Sequence, residues 1–446
     1  MNQSLVKFKI SKGGKMAMVS TLKCKFCGKP LDHIFVDLGV QPFCESYLEA
    51  DKQNQMEPFY PLRVYFCDTC LLVQLEESMT PEELFSSYAY FSSHSKGWMK
   101  HIESYAEMIT AKFGLNNKSQ VVEIGSNDGY LLQFFAQRGI PVVGVEPASN
   151  VAEESIKKGI PTIVKFFDKE TCNALIKENK KADLLIGNNI LAQVPDITGF
   201  VANLKSLLTA TGVITIEFHH IMNLINKNQF DTISHERFTY LSFTIVEKIF
   251  TSLGLTIFNV EEIPTHGGSL RVYARHTEDS SKPVELSVSQ LRKKEIDNGL
   301  NEIGSYLSFY EKTKRTRRKI LAYLIELKNN NKSIVGYGAH AEANTLLNYL
   351  GVRSDLLDYT VDRNPYKQGK FLGGSRIPIY NPDKIKETKP DFVFILPWSI
   401  KVEIMNQMSY VKEWGGKFIV PIPEIAIYDS NGNQINKGIF NSEEKK

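Results

Sequence analysis

The stretch that decides the fold is Val121-Val122-Glu123-Ile124-Gly125-Ser126-Asn127-Asp128-Gly129-Tyr130. It begins with apolar residues, and the apolar residues after it recur at helical spacing, which predicts a buried strand, a tight turn and a helix. The two glycines would let a ligand approach the turn and let the helix pack close to the strand. The second strand ends at Glu146, about twenty residues further on, where a carboxylate can accept hydrogen bonds from both hydroxyls of a ribose.

The spacing of this turn is E-x-G-x-x-x-G rather than G-x-G-x-x-G, and it resembles the first motif of class I S-adenosylmethionine (SAM) methyltransferases. An amino-acid tail fits such a turn better than a pyrophosphate does. Two carboxylates, Glu123 and Asp128, would then suit the ammonium and sulfonium region of SAM. An aromatic residue after the third strand could contact adenine, and Asn188 ends the fourth strand. The predicted SAM-binding residues are Glu123, Gly125, Asn127, Asp128, Gly129, Glu146, Phe167 and Asn188.

Two C-x2-C pairs, Cys24/Cys27 and Cys67/Cys70, precede this region. Each pair would sit on a small knuckle, so that four thiolates could surround one ion. Four thiolates in a tetrahedron form a structural zinc site with no position left for water. The sequence therefore predicts a structural rather than a catalytic zinc.

Composition excludes several classes of protein. The 446 residues are too many for one core, and the net charge of +3 is too weak for a nucleic-acid-binding surface. There is no apolar run long enough to span a bilayer, and the six cysteines do not form a disulfide framework. We therefore expect a cytoplasmic protein without nucleic-acid or membrane partners, as a monomer or a small homo-oligomer.

A second glycine turn, G-x-G-x-x-A at Gly336-Tyr337-Gly338-Ala339-His340-Ala341, follows a strand near the C-terminus, and Asp362 ends the next strand. By itself this pattern is a dinucleotide fingerprint. It predicts a second doubly wound unit and leaves open an NAD-dependent sugar-nucleotide oxidoreductase.

Together these motifs resemble the sugar-nucleotide C-methyltransferases of deoxysugar biosynthesis. The four cysteines, the Glu123–Gly129 turn and the Gly336 turn correspond to the three domains of that family, and His266–Arg271 and Asp362–Gly369 resemble two of its signature stretches. The resemblance implies an α/β chain with a small zinc-binding domain, a class I methyltransferase domain and a second Rossmann-like domain. The expected segments are a disordered basic tail (1–20), a zinc-binding domain with an aromatic lid segment (21–100), a SAM-binding domain (101–275), a helical connector (276–330) and a C-terminal Rossmann-like domain (331–440).

The resemblance implies methylation at C3 of a TDP- or GDP-linked 4-keto-6-deoxy sugar through an enolate. Tyr90 matches the active-site tyrosine of the family, although Tyr88 is an alternative register. The expected substrate-binding residues are Gln193, His266, Arg271, Tyr337, Arg363 and Lys367. The hydroxyl-rich stretch 86–95 is either a lid over the ligand or a packed linker.

The catalytic segment departs from the family pattern. The family shows Tyr-x-Glu-His where this chain has Ser234-His235-Glu236-Arg237, and a histidine where this chain has Gln193. Arg237 stays protonated and cannot remove a proton. His235 or Glu236 could be the general base instead. Alternatively, the chain could bind SAM and a sugar nucleotide and either methylate another atom or methylate nothing.

Overall fold

The computed structural model describes residues 7–10, 16–19, 22–86, 91–94 and 96–435. The strands are β1 (Lys7–Ile10), β2 (Met16–Val19), β3 (His33–Gln41), β4 (Tyr47–Leu48), β5 (Tyr60–Phe66), β6 (Val73–Leu75), β7 (Val121–Ile124), β8 (Val142–Val145), β9 (Thr162–Ile163), β10 (Ala182–Asn188), β11 (Leu208–His219), β12 (Thr239–Tyr240), β13 (Leu255–Ile263), β14 (Ser269–His276), β15 (Ile334–Tyr337), β16 (Thr360–Val361), β17 (Phe371–Leu372), β18 (Ile379–Tyr380), β19 (Phe392–Ile395), β20 (Lys417–Val420) and β21 (Ala426–Tyr428).

The helices are α1 (Pro81–Phe85), α2 (Lys96–Phe113), α3 (Leu132–Ala136), α4 (Ser149–Lys157), α5 (Lys169–Lys177), α6 (Ile197–Leu207), α7 (Ile221–Asn226), α8 (Phe243–Ser252), α9 (Leu286–Asp297), α10 (Ile303–Asn329), α11 (Ala341–Leu350), α12 (Lys384–Thr388) and α13 (Lys401–Gln407). Within the described part of the chain, no helix is both long enough and apolar enough to cross a bilayer.

The chain divides into two compact units that do not follow chain order. The first unit comprises 1–32, 66–222 and 236–301, and the second comprises 33–65, 223–235 and 302–446. Each unit is therefore built from segments that are distant in the chain. The sequence predicts five consecutive segments instead. The pair β1 and β2 also lies within the tail expected to be disordered.

The first unit is built on a seven-stranded sheet of order β13-β14-β11-β10-β7-β8-β9. The strands from β11 to β9 run parallel, whereas β14 is antiparallel to both β11 and β13. The four residues of β7 are all buried, as expected for a central strand covered on both faces. In the hydrophobic core of this unit, β7 packs with the buried face of α2, which contributes Ile102, Ala106 and Ile109. The sheet aligns the carboxyl ends of its parallel strands along one edge.

The second unit contains a six-stranded sheet of order β18-β16-β15-β19-β20-β21. All its strand pairs are parallel except β20 with β21. The second helix of the expected connector, α10, packs into this unit, where Phe309 stacks on Phe35 with ring centroids 4.6 Å apart. The prediction of a second doubly wound sheet is confirmed.

A buried acid in the second unit makes stability depend on pH. The Trp398 indole Nε1–H donates to Asp231 Oδ2 at 2.6 Å. Burial raises the pKa of Asp231 to about 8, with the indole opposing the shift and the Glu342 carboxylate adding to it. Because the ordinary pKa of an aspartate is about 4, the folded state keeps a proton that the unfolded state has released, and stability falls as pH rises from about 4 to 8.

Replacing Asp231 by Asn should remove this dependence, since the amide oxygen still accepts from Trp398 and cannot ionise. We expect the difference in melting temperature, Asp231→Asn minus wild type, to be more positive at pH 8 than at pH 5. Calorimetry at both pH values measures this difference. The exposed Asp355→Asn serves as control. An equal difference at both pH values would contradict a buried proton at Asp231.

Candidate functional site

The four cysteines predicted to bind zinc come together in the first unit. Their sulfur atoms all lie within 4.8 Å of one another, and two pairs of sulfurs are 3.5 Å apart. A Zn–S distance of about 2.3 Å requires sulfur atoms about 3.8 Å apart in a tetrahedron. The described residues offer no fifth ligand of the His, Cys, Asp or Glu type to this cluster. The cluster is therefore a four-thiolate site suited to structural zinc.

Two similar backbone turns present the thiolates. In the first, Gly28 donates its N–H to the carbonyl of Cys24 at 2.9 Å and has a φ of 72°. In the second, Leu71 donates to the carbonyl of Cys67 at 2.8 Å with a φ of 67°. A leucine with positive φ is uncommon, so the second turn is held in the form that glycine adopts readily in the first. Sequence reasoning found the glycine and missed the leucine.

At the carboxyl end of β7, the turn from Gly125 to Gly129 has the shape that its sequence predicted. Gly129 has a φ of 73°, and a Cβ placed there would lie 2.7 Å from the hydroxyl of Ser155. The neighbouring carboxylate of Glu123 is fully buried and faces the hydroxyl of Tyr130, and neither of its oxygens meets the geometry of a hydrogen bond with a described residue. Burial raises the pKa of Glu123 well above its ordinary value. An orphaned acid beside an open turn fits a cationic ligand group such as the methionine ammonium of SAM.

Glu146 lies at the end of β8, next to this turn. Its Oε2 accepts from the backbone N–H of Asn127 and its Oε1 from that of Ala148, both at 2.9 Å. These bonds orient the carboxylate and leave each oxygen a second lone pair for a ribose hydroxyl. The geometry thus fits the nucleoside role predicted for Glu146.

Alanine at position 146 should weaken SAM and S-adenosylhomocysteine (SAH) binding by about 10²-fold, because two charge-assisted hydrogen bonds to the ribose would be lost. Isothermal titration calorimetry with SAH measures this effect. The control is Glu153→Ala, at an exposed position on the neighbouring α4. Equal SAH affinity in both variants would remove Glu146 from the nucleoside site.

Other predicted SAM-site residues have structural partners. Asp128 Oδ2 accepts from the hydroxyl of Ser93 and from Lys158 Nζ. Asn127 Oδ1 accepts from the backbone N–H of Ser92 at 2.9 Å. The turn is therefore hydrogen-bonded to 92–93, which packs this part of the hydroxyl-rich stretch against it. Tyr88 and Tyr90 of this stretch lie outside the described residues.

The two remaining predicted SAM contacts flank the same edge of the sheet. Phe167 follows β9 and packs edge-on against Phe200, with ring centroids 5.7 Å apart. The next residue, Asp168, caps α5 by accepting from the backbone N–H of Thr171. Asn188 ends β10 with a buried Nδ2 that has no partner among the described residues. This donor lies at the carboxyl edge, where a ligand of such a sheet binds.

A buried polar network lies beneath the carboxyl end of β11. Glu217 accepts from Thr265 Oγ1 at 2.9 Å and from Arg271 Nη2 at 3.1 Å. Arg271 also pairs with Glu261, and its guanidinium lies 4.4 Å from the ring centroid of Tyr105. With its side chain buried in these contacts, Arg271 is held in a structural position, which disfavours the predicted substrate contact. Gln193, also predicted to bind substrate, lies half-buried on the turn after β10.

The predicted catalytic residues divide between the units. His235, in the second unit, donates Nε2–H to the Pro61 carbonyl at 3.2 Å, and burial lowers its pKa. Glu236 and Arg237 are in the first unit, where Glu236 is buried. Arg237 Nη1 donates to His219 Nδ1 at 2.9 Å. His219 is not among the residues predicted from the sequence, because nothing in the chain links it to position 237.

The glycine turn of the second unit is surrounded by carboxylates. Asp362 accepts from the backbone N–H of Ala339 at 2.8 Å, while Tyr47 and Lys367 both donate to the Ala339 carbonyl. Glu45 Oε2 lies 3.0 Å from the same Tyr47 hydroxyl, and Glu342 lies in the first turn of α11. Asp362 would suit the ribose of a dinucleotide, but Glu45 and Glu342 add negative charge near the turn and the helix N-terminus where a pyrophosphate would bind, which disfavours a dinucleotide here.

The other two substrate residues predicted for the second unit share one partner. The Tyr337 hydroxyl and Arg363 Nη1 both donate to Gln407 Oε1, at 3.3 and 3.5 Å. Arg363 is exposed, whereas Tyr337 is buried at the end of β15. The structure therefore brings these two predicted residues together through Gln407, which sequence reasoning did not identify.

Comparison with known proteins gives matches over most of the chain. Three family models match: a zinc binding domain over 24–85, a methyltransferase domain over 98–260 and a C-methyltransferase C-terminal domain over 264–423. The C-methyltransferase NovU of Streptomyces niveus is 32% identical over 402 residues, which are 90% of this chain and 96% of that protein.

Two solved methyltransferases resemble part of the chain. The magnesium protoporphyrin IX methyltransferase of Synechocystis PCC 6803 with bound SAM is 17% identical, covers 40% of this chain and 79% of its own, and has a TM-score of 0.31. A SAM-dependent methyltransferase of Clostridium acetobutylicum ATCC 824 is 10% identical, covers 40% of this chain and 92% of its own, and has a TM-score of 0.33.

Proposed function

The chain belongs to the C-methyltransferase family as a SAM-dependent enzyme, and we propose that it methylates C3 of a nucleotide-linked 4-keto-6-deoxy sugar. The observation that carries the proposal is the match to a C-methyltransferase over 90% of the chain. The orphaned Glu123 and the oriented Glu146 support SAM as the donor. The stretches His266–Arg271 and Asp362–Gly369, which resemble those of sugar-nucleotide C-methyltransferases, support the substrate class.

The reaction needs a base because carbon is not nucleophilic until it loses a proton. The 4-ketone acidifies the C3–H bond, and a carboxylate can take this proton while the electron pair moves onto the ketone oxygen as an enolate. When bound, SAM supplies the methyl carbon, and the C–S electron pair remains on sulfur. The protein must hold C3 close to this methyl, stabilise the oxygen charge and exclude water.

We propose Glu236 as the base. Its carboxyl group is buried, which suits a carboxylate whose pKa must be raised to accept a proton. Arg237 is a permanent donor and cannot take this role. The ring of His235 is held in place by the Pro61 carbonyl, to which its Nε2–H donates.

The test incubates zinc-loaded protein with methyl-labelled SAM and a panel of TDP- and GDP-linked 4-keto-6-deoxy sugars. We expect one sugar to gain a labelled methyl group, located at C3 by NMR, with the Glu146→Ala variant as the impaired control. Label on oxygen or nitrogen would refute carbon methylation. No transfer to any sugar would refute the substrate class.

An NAD-dependent oxidoreductase remains the rival function, and it predicts that NADH fluorescence changes when the protein is added. The carboxylates around Ala339 predict no change. Quenching that saturates at micromolar protein would favour the oxidoreductase.

A further inference from the structure

The first unit contains a pair of basic side chains outside the predicted SAM contacts, formed by His219 and Arg237. Arg237 Nη1 is 2.9 Å from His219 Nδ1, whereas Nη2 is 3.5 Å from Nε2. A guanidinium is always protonated and only donates hydrogen bonds. The imidazole must therefore offer a lone pair, and the shorter contact places that lone pair on Nδ1.

This contact selects one form of the imidazole. A neutral histidine that accepts at Nδ1 carries its proton on Nε2. Burial lowers the pKa of His219 well below its ordinary value, and the positive charge of Arg237 and the neighbouring His266 lower it further. This geometry favours a neutral ring that carries its proton on Nε2, which lies 3.5 Å from Arg237 Nη2.

The ring stands at the edge where a ligand of this sheet would lie. His219 ends β11, two residues beyond Glu217, which pairs in register with Asn188 at the end of β10. Its ring is half-buried and stacks on His266, with centroids 4.8 Å apart and an interplanar angle of 25°. Trp98 packs against the ring of His266 at 5.5 Å. Ligands bind outside the carboxyl ends of parallel strands, so His219 borders that crevice.

We propose that His219, held by Arg237 as the Nε2–H tautomer, donates a hydrogen bond to the substrate oxygen on which negative charge develops during deprotonation. This role rests on the proposed function and adds a donor that it does not specify. The proton leaves carbon for Glu236, the electron pair moves to oxygen, and His219 keeps its own proton throughout. A neutral donor suits this task because it stabilises the enolate without protonating it.

The pair also explains how the chain works with arginine at position 237. An arginine there cannot remove a proton. It can position His219 and add positive charge near the developing oxyanion. Arg237 is therefore a positioning residue, and His219 is the group that contacts the substrate.

The activity test compares His219→Phe with His219→Gln, on the substrate that wild type methylates. Removing one such donor lowers kcat by about 10²–10³-fold, and we expect this loss for phenylalanine with SAH affinity unchanged within about twofold. Glutamine keeps a side-chain N–H and should restore kcat to within about tenfold of wild type. His276→Ala, at the far end of β14, is the control. Wild-type kcat in His219→Phe would overturn the proposal, as would equal losses in both substitutions.

A second measurement needs no substrate. Long-range ¹H–¹⁵N NMR spectra of the zinc-loaded protein, with the His219 signal assigned from His219→Gln, distinguish the tautomers. We expect the neutral Nε2–H form from about pH 6 to 8 in wild type, and its loss in Arg237→Gln. A cationic or Nδ1–H ring overturns the proposal whatever the substrate. If NMR shows the expected tautomer but wild type methylates no sugar of the panel, the proposed function fails, and with it the donor role.

Discussion

Replacing Glu236 by Gln is expected to lower kcat by about 10²–10⁴-fold, which is the contribution of a positioned general base. Glutamine has nearly the shape of glutamate but cannot accept the substrate proton. SAM affinity should change by less than about twofold, because the proposed SAM contacts lie at the β7 and β8 turns. Initial rates with the methylated sugar, together with calorimetry for SAH, measure both quantities.

The matched control is Glu178→Gln, at an exposed position after α5. His235→Asn tests the competing base, because asparagine can still donate to the Pro61 carbonyl while losing the imidazole lone pair. A large kcat loss in His235→Asn with a normal rate in Glu236→Gln would transfer the role to His235. Normal rates in both variants would remove this segment from the mechanism.

Replacing Cys67 by Ser is expected to abolish stoichiometric zinc binding and to lower the melting temperature on the order of 10 °C. Zinc binding contributes about 10–16 kcal/mol in small zinc domains, and three thiolates with a hydroxyl hold the ion far less well. Loss of the zinc should affect both C-x2-C turns, because each pair of close sulfur atoms contains one cysteine from each turn. Metal analysis and thermal unfolding measure the two effects.

Cys172→Ser provides the control, since Cys172 is a buried single thiol whose Sγ contacts the Asn203 carbonyl. It should retain one zinc per chain. Full zinc content in Cys67→Ser would show that the ion is not held by these four cysteines. An unchanged melting temperature in a zinc-free variant would show that the zinc does not stabilise the fold.

Local patterns were sufficient for the SAM turn and the zinc ligands. The strand, glycine turn and helix around Gly125 and Gly129 depend on backbone freedom and apolar periodicity, which are visible in ten residues. The C-x2-C spacing likewise requires each pair to share one turn. The β-strands of both doubly wound sheets could be expected for the same reason.

Side-chain partners across the sheet were beyond sequence reasoning. The sequence predicts that Arg271 binds substrate. In the structure its positive charge is paired with the carboxylate of Glu217 on the adjacent strand. Asp231 and Trp398 are 167 residues apart in the chain. Nothing near either residue signals that they share a hydrogen bond.

By itself, the sequence determined the two doubly wound sheets, the four-cysteine cluster and the turn that fits SAM, because short-range periodicity and spacing dictate each of them. Only the tertiary structure decided that Arg237 contacts His219, that the buried carboxylate of Glu123 makes no hydrogen bond with a described residue, and that distant segments share each unit. The physical reason is that charge pairing and burial depend on which strands become neighbours, and that choice is made by the folded chain as a whole.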